Sequence, residues 1–355
     1  LSAQSGEVFF SKPVKLGKEV NSACDESSPV LSRDGKTMYF TRVYCAENTG
    51  GEKAGQDIWY SKRKEDGSWT TALKLSKNIN NRFDNAPYAV DENGNLYISS
   101  IYLKTGYMAP GISMIKPLAN DSLFSDPEPV IIKNARFKPN SFLSIALSPK
   151  GNVMILSKAK KEYTDPEDLF VSFKGDSGWS EPVNMGLTLN TIGYETSPFI
   201  ADDDSTIYFS SNGHPGEGEG DIFMSRRTDE SWLHWTKPEN LGNKINSTGF
   251  DGFFSILPSG EAYFISGDNP KSPGDIFTTH IIKSYVPVNV KVIDEKTKLS
   301  INNCTITSFV SRDPAPIEQQ VALNGAAVFR LKNVLQRYTF VVHAPGYLSS
   351  DETLD

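Results

Sequence analysis

Four carboxylates recur along the sequence at a nearly constant interval: Glu26, Asp84, Glu195 and Asp251. Each stands three residues before a proline or an apolar residue, and Phe142 takes the third place in the series, where the acid is missing. Carboxylates that converge could bind a cation or orient a polar ligand, and two that face each other across a glycosidic bond could hydrolyse it. Their repetition also allows a structural interpretation, in which each acid accepts hydrogen bonds from its own backbone.

A second series keeps the same period, so a repeated unit must position the carboxylates. Four copies have the form acid-aliphatic-aromatic: Asp57-Ile58-Trp59, Asp168-Leu169-Phe170, Asp221-Ile222-Phe223 and Asp275-Ile276-Phe277. In the second period Gly111 stands where the acid would be. The positions 57, 111, 168, 221 and 275 are separated by 54, 57, 53 and 54 residues. A constant period of this size is typical of repeat architectures. Aromatic and β-branched runs between Asn, Asp and Gly turns predict four short strands in each period.

The N-terminal segment Pro13–Asn21 matches Pro238–Asn246, a fourth-strand segment, nearly position for position. The last period lacks a fourth strand of this type, so the N-terminal strand can complete its sheet. We therefore predict an all-β chain with a five-bladed β-propeller at residues 8–283, closed by the N-terminal strand. Beyond residue 286 the period is lost, and short alternating strands predict a small β-sandwich at 286–355.

Composition excludes several classes of partner. A formal net charge of −7 argues against nucleic acid or an anionic membrane surface as the main partner. No run of 18 apolar residues occurs, so we expect no membrane insertion. His214 has no His or Cys partner at metal-binding spacing, and no phosphate-binding glycine motif occurs, so we expect neither a metal nor a cofactor.

Two of the three cysteines, Cys24 and Cys45, flank one predicted β-hairpin and lie at the same end of it. A disulfide between them would suit an oxidising compartment such as the periplasm, whereas the alternative is two unrelated buried thiols. The loop 102–110 interrupts the second repeat with apolar residues, among them Tyr107 and Met108. Exposed apolar surface often marks a partner site, so these two residues are candidates for one.

The repeats resemble the TolB-type propeller repeat of Bacteroidetes envelope proteins. The segments that carry the resemblance are Tyr208–Gly216 running on to Asp221-Ile222-Phe223, and Pro238–Gly242 with Ile245-Asn246. The last segment is similar to a carboxypeptidase regulatory-like domain, a transthyretin-like sandwich, through Val290–Asp294 and Ala344–Tyr347. The order of the two resembles the middle of OmpA-family envelope proteins, including the PorE-type component of the type IX secretion system.

This resemblance implies a noncatalytic scaffold or protein-interaction module in the periplasm, associated with the outer membrane. Its implied partners are other envelope or secretion-complex proteins. Peptidoglycan would be bound only through an OmpA-type domain, which this sequence does not show. The alternative is a carbohydrate-binding or glycoside-hydrolase propeller that uses Glu26, Asp84, Glu195 or Asp251 at the mouth of the central channel.

Overall fold

The computed structural model describes residues 2–3, 9–53, 55–118, 124–139, 141–159, 165–267, 274–282, 286–310, 316–331 and 337–354. Within these ranges every regular element is a β-strand, which confirms the predicted all-β class. None of the described residues forms a helix long and apolar enough to cross a membrane. The chain divides into two compact units, one of Phe10–His280 and one of Ile281–Asp355 with Leu1–Phe9. The predicted domain limits at 8, 283 and 355 lie outside the described residues.

The strands before the first complete sheet are β1 (Ser2–Ala3), β2 (Phe9–Phe10) and β3 (Val14–Lys15). The first two sheets contain β4 (Asp25–Leu31), β5 (Thr37–Val43), β6 (Gln56–Lys62), β7 (Leu73–Lys74), β8 (Pro87–Val90), β9 (Leu96–Tyr102), β10 (Met108–Ile115) and β11 (Glu128–Pro129). The next sheet contains β12 (Leu143–Leu147), β13 (Val153–Ala159), β14 (Glu167–Gly175), β15 (Gly178–Trp179) and β16 (Val183–Asn184). Two more contain β17 (Glu195–Ile200), β18 (Thr206–Ser211), β19 (Asp221–Arg226), β20 (Glu239–Asn240), β21 (Asp251–Ile256), β22 (Glu261–Ser266) and β23 (Asp275–Ile282).

From β4 to β23 the strands pair antiparallel within their own sheets, each with a neighbour in sequence except β16, which pairs with β14. The first strands of successive sheets then touch in a circle: β4 contacts β8, β8 contacts β12, β12 contacts β17, β17 contacts β21, and β21 contacts β4 again. Hydrophobic residues pack between the faces of adjacent sheets, as Ile58 of the first sheet does with Leu96 and Ile98 of the second. The first strands therefore surround a common axis.

The N-terminal segment pairs with the last of these sheets. Lys15 and Val14 of β3 stand opposite Phe277 and Thr278 of β23. Asn21 adds two buried side-chain bonds, because its Oδ1 accepts from the Ile276 amide at 2.9 Å and its Nδ2 donates to the Ile276 carbonyl at 3.0 Å. Asn80, Asn190 and Asn246 make the same two bonds to Ile58, Leu169 and Ile222 in their own sheets.

The other unit consists of β1 with β24 (Val286–Lys291), β25 (Cys304–Val310), β26 (Pro316–Ala322), β27 (Ala326–Leu331), β28 (Tyr338–His343) and β29 (Ser350–Leu354). The strands form two sheets, in the orders β1-β24-β27 and β26-β25-β28-β29. Phe329 and Phe340 lie in one hydrophobic core shared by both sheets, with ring centroids 5.1 Å apart. The unpaired Cys304 is buried in this core, where it acts as a small apolar residue.

Candidate functional site

The axis of the first unit is a channel with one narrow part and one wide mouth. The narrow part has a cavity of about 90 Å³ and is lined by residues of β4, β8, β12, β17 and β21. The mouth is a cavity of about 1140 Å³ that shares Tyr88 and Phe253 with the narrow part. A cleft of that size is the usual place for a ligand.

Three of the four sequence-predicted carboxylates, Glu26, Glu195 and Asp251, lie beneath this mouth and are fully buried. Each accepts a hydrogen bond from the backbone amide four residues earlier, at 3.0 Å from Ser22, 2.8 Å from Thr191 and 2.6 Å from Ser247. The hydroxyl of the same Ser or Thr donates a second bond to the carboxylate. These acids therefore hold the turns that form the rim of the mouth.

Their surroundings raise the pKa of all three acids, and the main cause is burial, which disfavours the charged form. The pKa of Glu26 and of Glu195 lies above its usual range, and the pKa of Asp251 rises to about 6. Glu26 has a compensating partner in Arg42, whose Nε lies 3.0 Å from its Oε1. Groups without access to solvent and bound to their own turns cannot contact a substrate.

Asp84 is not buried beneath the mouth as the other three acids are, because in the second sheet the next residue, Asn85, holds the rim turn. The buried Asn85 accepts the Asn81 amide at 2.8 Å, the same contact over four residues that Glu26, Glu195 and Asp251 make. Aligning Asp84 with those acids was therefore wrong by one residue. An asparagine five positions earlier is the sequence signal that gives the correct register, because it precedes all four of these residues, whereas Ile79 stands five positions before Asp84.

Asp84 is exposed and lines the mouth, where the described lining contains one other acid, Glu167 at the start of β14. Gly55 makes room for Asp84: its φ is +78°, and a Cβ atom at that position would overlap Asp84 Oδ1. The sequence pattern does not mark Glu167, because the acid that belongs to the repeat is its neighbour, Asp168. Asp168 itself is buried and accepts a bond from Asn184 Nδ2 at 2.8 Å.

Aromatic rings cover much of the mouth. Phe142 and Phe253 meet edge to face with centroids 6.1 Å apart, and Tyr194 lies 6.4 Å from Phe250. Tyr194 Oη donates to the Glu219 carbonyl at 2.6 Å, and burial raises its pKa to about 12, so it remains a neutral hydrogen-bonding group. Phe253 has a φ of +52° at a β-bulge of β21, an uncommon conformation outside glycine.

The two partner candidates belong to the same region. Met108 lines the mouth, and its Sδ lies 3.5 Å from Asn81 Nδ2. Tyr107 is 59% exposed, and its ring lies 6.3 Å from that of Phe83. Arg82 stacks on both rings, with its Cζ 5.1 Å from the Phe83 centroid and 5.8 Å from the Tyr107 centroid. The loop therefore extends the lining of the mouth.

Cys24 and Cys45 form a disulfide across the open end of the β4–β5 hairpin, with their Cα atoms 5.5 Å apart. In the part of the chain that the structure describes, the one His, Cys, Asp and Glu group close enough to hold a metal ion is Cys24, Cys45 and Glu47. Its two sulfur atoms are joined to each other, so they do not offer thiolate ligands.

Comparisons with known proteins concern the fold. No protein-family model and no curated protein matches the chain. A solved structure described as a glycoside hydrolase matches with a TM-score of 0.52 and 12% identity, over 77% of this chain and 91% of that one. The chain has a β-propeller fold.

Two further solved structures match below a TM-score of 0.5. One is the catalytic domain of the GH62 α-L-arabinofuranosidase from Coprinopsis cinerea, with a TM-score of 0.49 and 12% identity over 78% of this chain and 97% of that one. The other is the GH43 endo-arabinanase from Bacillus licheniformis, with a TM-score of 0.46 and 13% identity over 78% and 97%.

These findings correct the expectations that rested on the TolB-type resemblance. The structure that matches with a TM-score above 0.5 is described as a glycoside hydrolase, so the assignment to OmpA-family envelope proteins and to type IX secretion is wrong. The noncatalytic scaffold and the prediction that the chain is not an enzyme are wrong for the same reason. The repeat period indicated the propeller correctly, but radial sheets recur in proteins of many functions, so the period could not identify the family.

Proposed function

We propose that this protein binds and hydrolyses a carbohydrate at the mouth of its channel. The observation that carries the proposal is the joint presence of aromatic rings and two accessible carboxylates, Asp84 and Glu167, in one wide cavity. A sugar has apolar C–H faces that pack on aromatic rings, and its hydroxyl groups bond to polar groups between them. The fold shared with a glycoside hydrolase supports the proposal by analogy.

Asp84 and Glu167 supply the two carboxyl groups that glycoside hydrolysis requires. One donates a proton to the oxygen of the leaving sugar as the glycosidic C–O bond breaks. The other either attacks the anomeric carbon to form a glycosyl ester, which water then hydrolyses with the first group acting as base, or takes a proton from the water that attacks this carbon directly. Glu26, Glu195 and Asp251 take no part in this chemistry, because they are fully buried and bound to the rim turns.

The finer architecture belongs to the same proposal. We propose five blades closed by the N-terminal strand, which the circle of contacts from β4 back to β21 and the β3–β23 pairing support. The last unit is a transthyretin-like sandwich, supported by its two sheets around one core. The Cys24–Cys45 disulfide supports an oxidising compartment such as the periplasm.

The test is to replace each accessible carboxylate by its amide. We expect the protein to release reducing sugar from at least one polysaccharide of a broad panel. Asp84→Asn and Glu167→Gln should each lower that turnover about a hundredfold or more, the usual effect of losing an acid–base group. Melting temperatures should stay unchanged, because the two side chains are accessible to solvent.

Asp176→Asn is the matched control, since Asp176 is an exposed carboxylate that is not part of the mouth. It should retain full turnover. Release of no sugar from any polysaccharide by the unaltered protein would contradict the proposal, as would full turnover in both the Asp84→Asn and the Glu167→Gln variants.

A further inference from the structure

We propose that the carbohydrate taken at the mouth is acidic and carries carboxylate groups. The inference rests on the proposed function and names the class of substrate. Its basis is the distribution of charge: the described lining holds five cationic side chains and two acidic ones, a surplus of three positive charges. The whole chain carries a net charge of −7, so the positive charge is concentrated at this cavity. A cleft lined by one sign of charge attracts ligands of the opposite sign.

Arg82 presents its guanidinium group in a form suited to a carboxylate. The planar group lies over the rings of Phe83 and Tyr107, which support its flat face. In the described part of the chain no hydrogen bond or ion pair involves its N–H groups, so these remain available to a ligand. A guanidinium fork binds the two oxygens of a carboxylate side by side, which a neutral hydroxyl group cannot match.

Lys158, at the end of β13, places a second positive charge deeper in the mouth. Its Nζ lies 3.9 Å from the centroid of the Phe170 ring, and the residue is half-buried. The one side-chain hydrogen bond of Lys158 among the described residues is a long contact of 3.5 Å from Nζ to the Ala159 carbonyl. Burial lowers the pKa of this ammonium group, because fewer water molecules surround its charge. A bound carboxylate would stabilise the charged form in place of that water.

Arg136, also in the lining, is exposed and has neither a hydrogen bond nor an ion pair within the described ranges. Arg82 comes from the segment before β8, Arg136 from the segment before β12, and Lys158 from β13. The positive groups therefore reach the cavity from neighbouring sheets, where a chain of acidic sugars could contact several of them. The aromatic rings between them would contact the apolar faces of the same sugars.

The test is binding to an immobilised glycan panel with four arms: uronate-containing, sialylated, sulfated and neutral oligosaccharides. We expect binding to a carboxylated arm, loss of that binding after the carboxyl groups are reduced to alcohols, and weakening as salt is added. The arm that responds distinguishes uronic from sialic acids. Arg82→Gln and Lys158→Gln should each weaken binding about tenfold or more, as expected for removing a charged hydrogen-bond donor.

Two controls separate charge and geometry from general effects. Lys237→Gln removes an exposed cation that is not part of the mouth and should leave binding unchanged. Arg82→Lys keeps the charge but loses the fork, so it should recover only part of the affinity. Binding to neutral glycans that equals or exceeds binding to carboxylated ones would overturn this inference while the proposed function stands, and so would binding to sulfated glycans alone. Binding to no glycan would overturn both.

Discussion

The exact position of a carboxylate in its rim turn decides whether it is buried and holds that turn or is accessible at the mouth. Glu195 and Asp251 each receive two bonds from a Ser or Thr four residues earlier, and both are fully buried. In the second sheet Asn85 makes the backbone contact, and Asp84, one position earlier, faces the cavity. A shift of one residue along an extended chain turns a side chain to the opposite face. Two adjacent residues of one rim turn therefore differ in role: Asn85 is buried and holds the turn, whereas Asp84 is a candidate catalytic group.

The raised pKa of Asp251 makes stability depend on pH. The folded protein binds this proton up to about pH 6, whereas a free Asp carboxyl loses it near pH 3.8. The stabilisation is complete below about pH 4 and is lost as the pH rises through 6, so the free energy of unfolding falls across that window. We expect Asp251→Asn to remove up to about 3 kcal/mol of this pH dependence in urea unfolding measured between pH 4 and 7.

Asparagine is a suitable replacement, because Asn85 already occupies the equivalent position in the second sheet. The Asp176→Asn variant, altered at an exposed carboxylate, should keep the pH dependence of the unaltered protein. An Asp251→Asn variant with that same dependence would show that Asp251 ionises normally in the folded state.

At the scale of elements, the rim of the mouth depends on hairpins whose open ends must be held in place. The β4–β5 hairpin carries Cys24 just before its first strand and Cys45 just after its second, and the disulfide joins those ends. Inside the hairpin, Glu26 pairs with Arg42, whose Cζ lies 4.2 Å from the Trp59 ring centroid. The covalent link and the buried ion pair together hold the loop that brings Tyr44 and Lys53 to the mouth.

Replacing both cysteines by serine should destabilise the protein by about 3 kcal/mol, the value expected for a disulfide that closes a loop with a separation of 21 residues. The measurement is urea unfolding with and without a reducing agent. Reduction should bring the unaltered protein to the stability of the double variant and should not affect the variant itself. Equal stability of all four samples would show that the bridge does not contribute.

At the scale of the whole molecule, the first unit depends on a contact between residues far apart in sequence. Asn21 bonds to both backbone groups of Ile276, and β3 pairs with β23, so the start of the unit completes its last sheet. Asn246 makes the same two bonds to Ile222 within a single stretch of chain. Asn21 and Asn246 thus make the same bonds, but Asn21 connects residues that are much farther apart in sequence.

Asn21→Ala and Asn246→Ala should each cost about 2–4 kcal/mol, because each leaves a buried amide and a buried carbonyl without their partners. Asn21→Ala should in addition lower the denaturant dependence of unfolding, since the last sheet can then separate before the others. Urea unfolding followed by tryptophan fluorescence measures both quantities. Asn78→Ala, which removes an exposed side chain, is the control and should cost less than about 0.5 kcal/mol. An unchanged slope in Asn21→Ala would contradict the role of the N-terminal segment in closure.

The sequence by itself determined the all-β class, the period and the propeller, because strand patterns and turns are local and are repeated along the chain. It also identified Asn246 and its match Asn21 as equivalent residues. Only the tertiary structure decided which carboxylates are accessible in the cavity: Asp84 and Glu167 belong to different sheets and share the cavity because the sheets surround one axis. Accessibility is a property of that arrangement. A repeat signal records what the units have in common, whereas the mouth is built from residues in which the units differ.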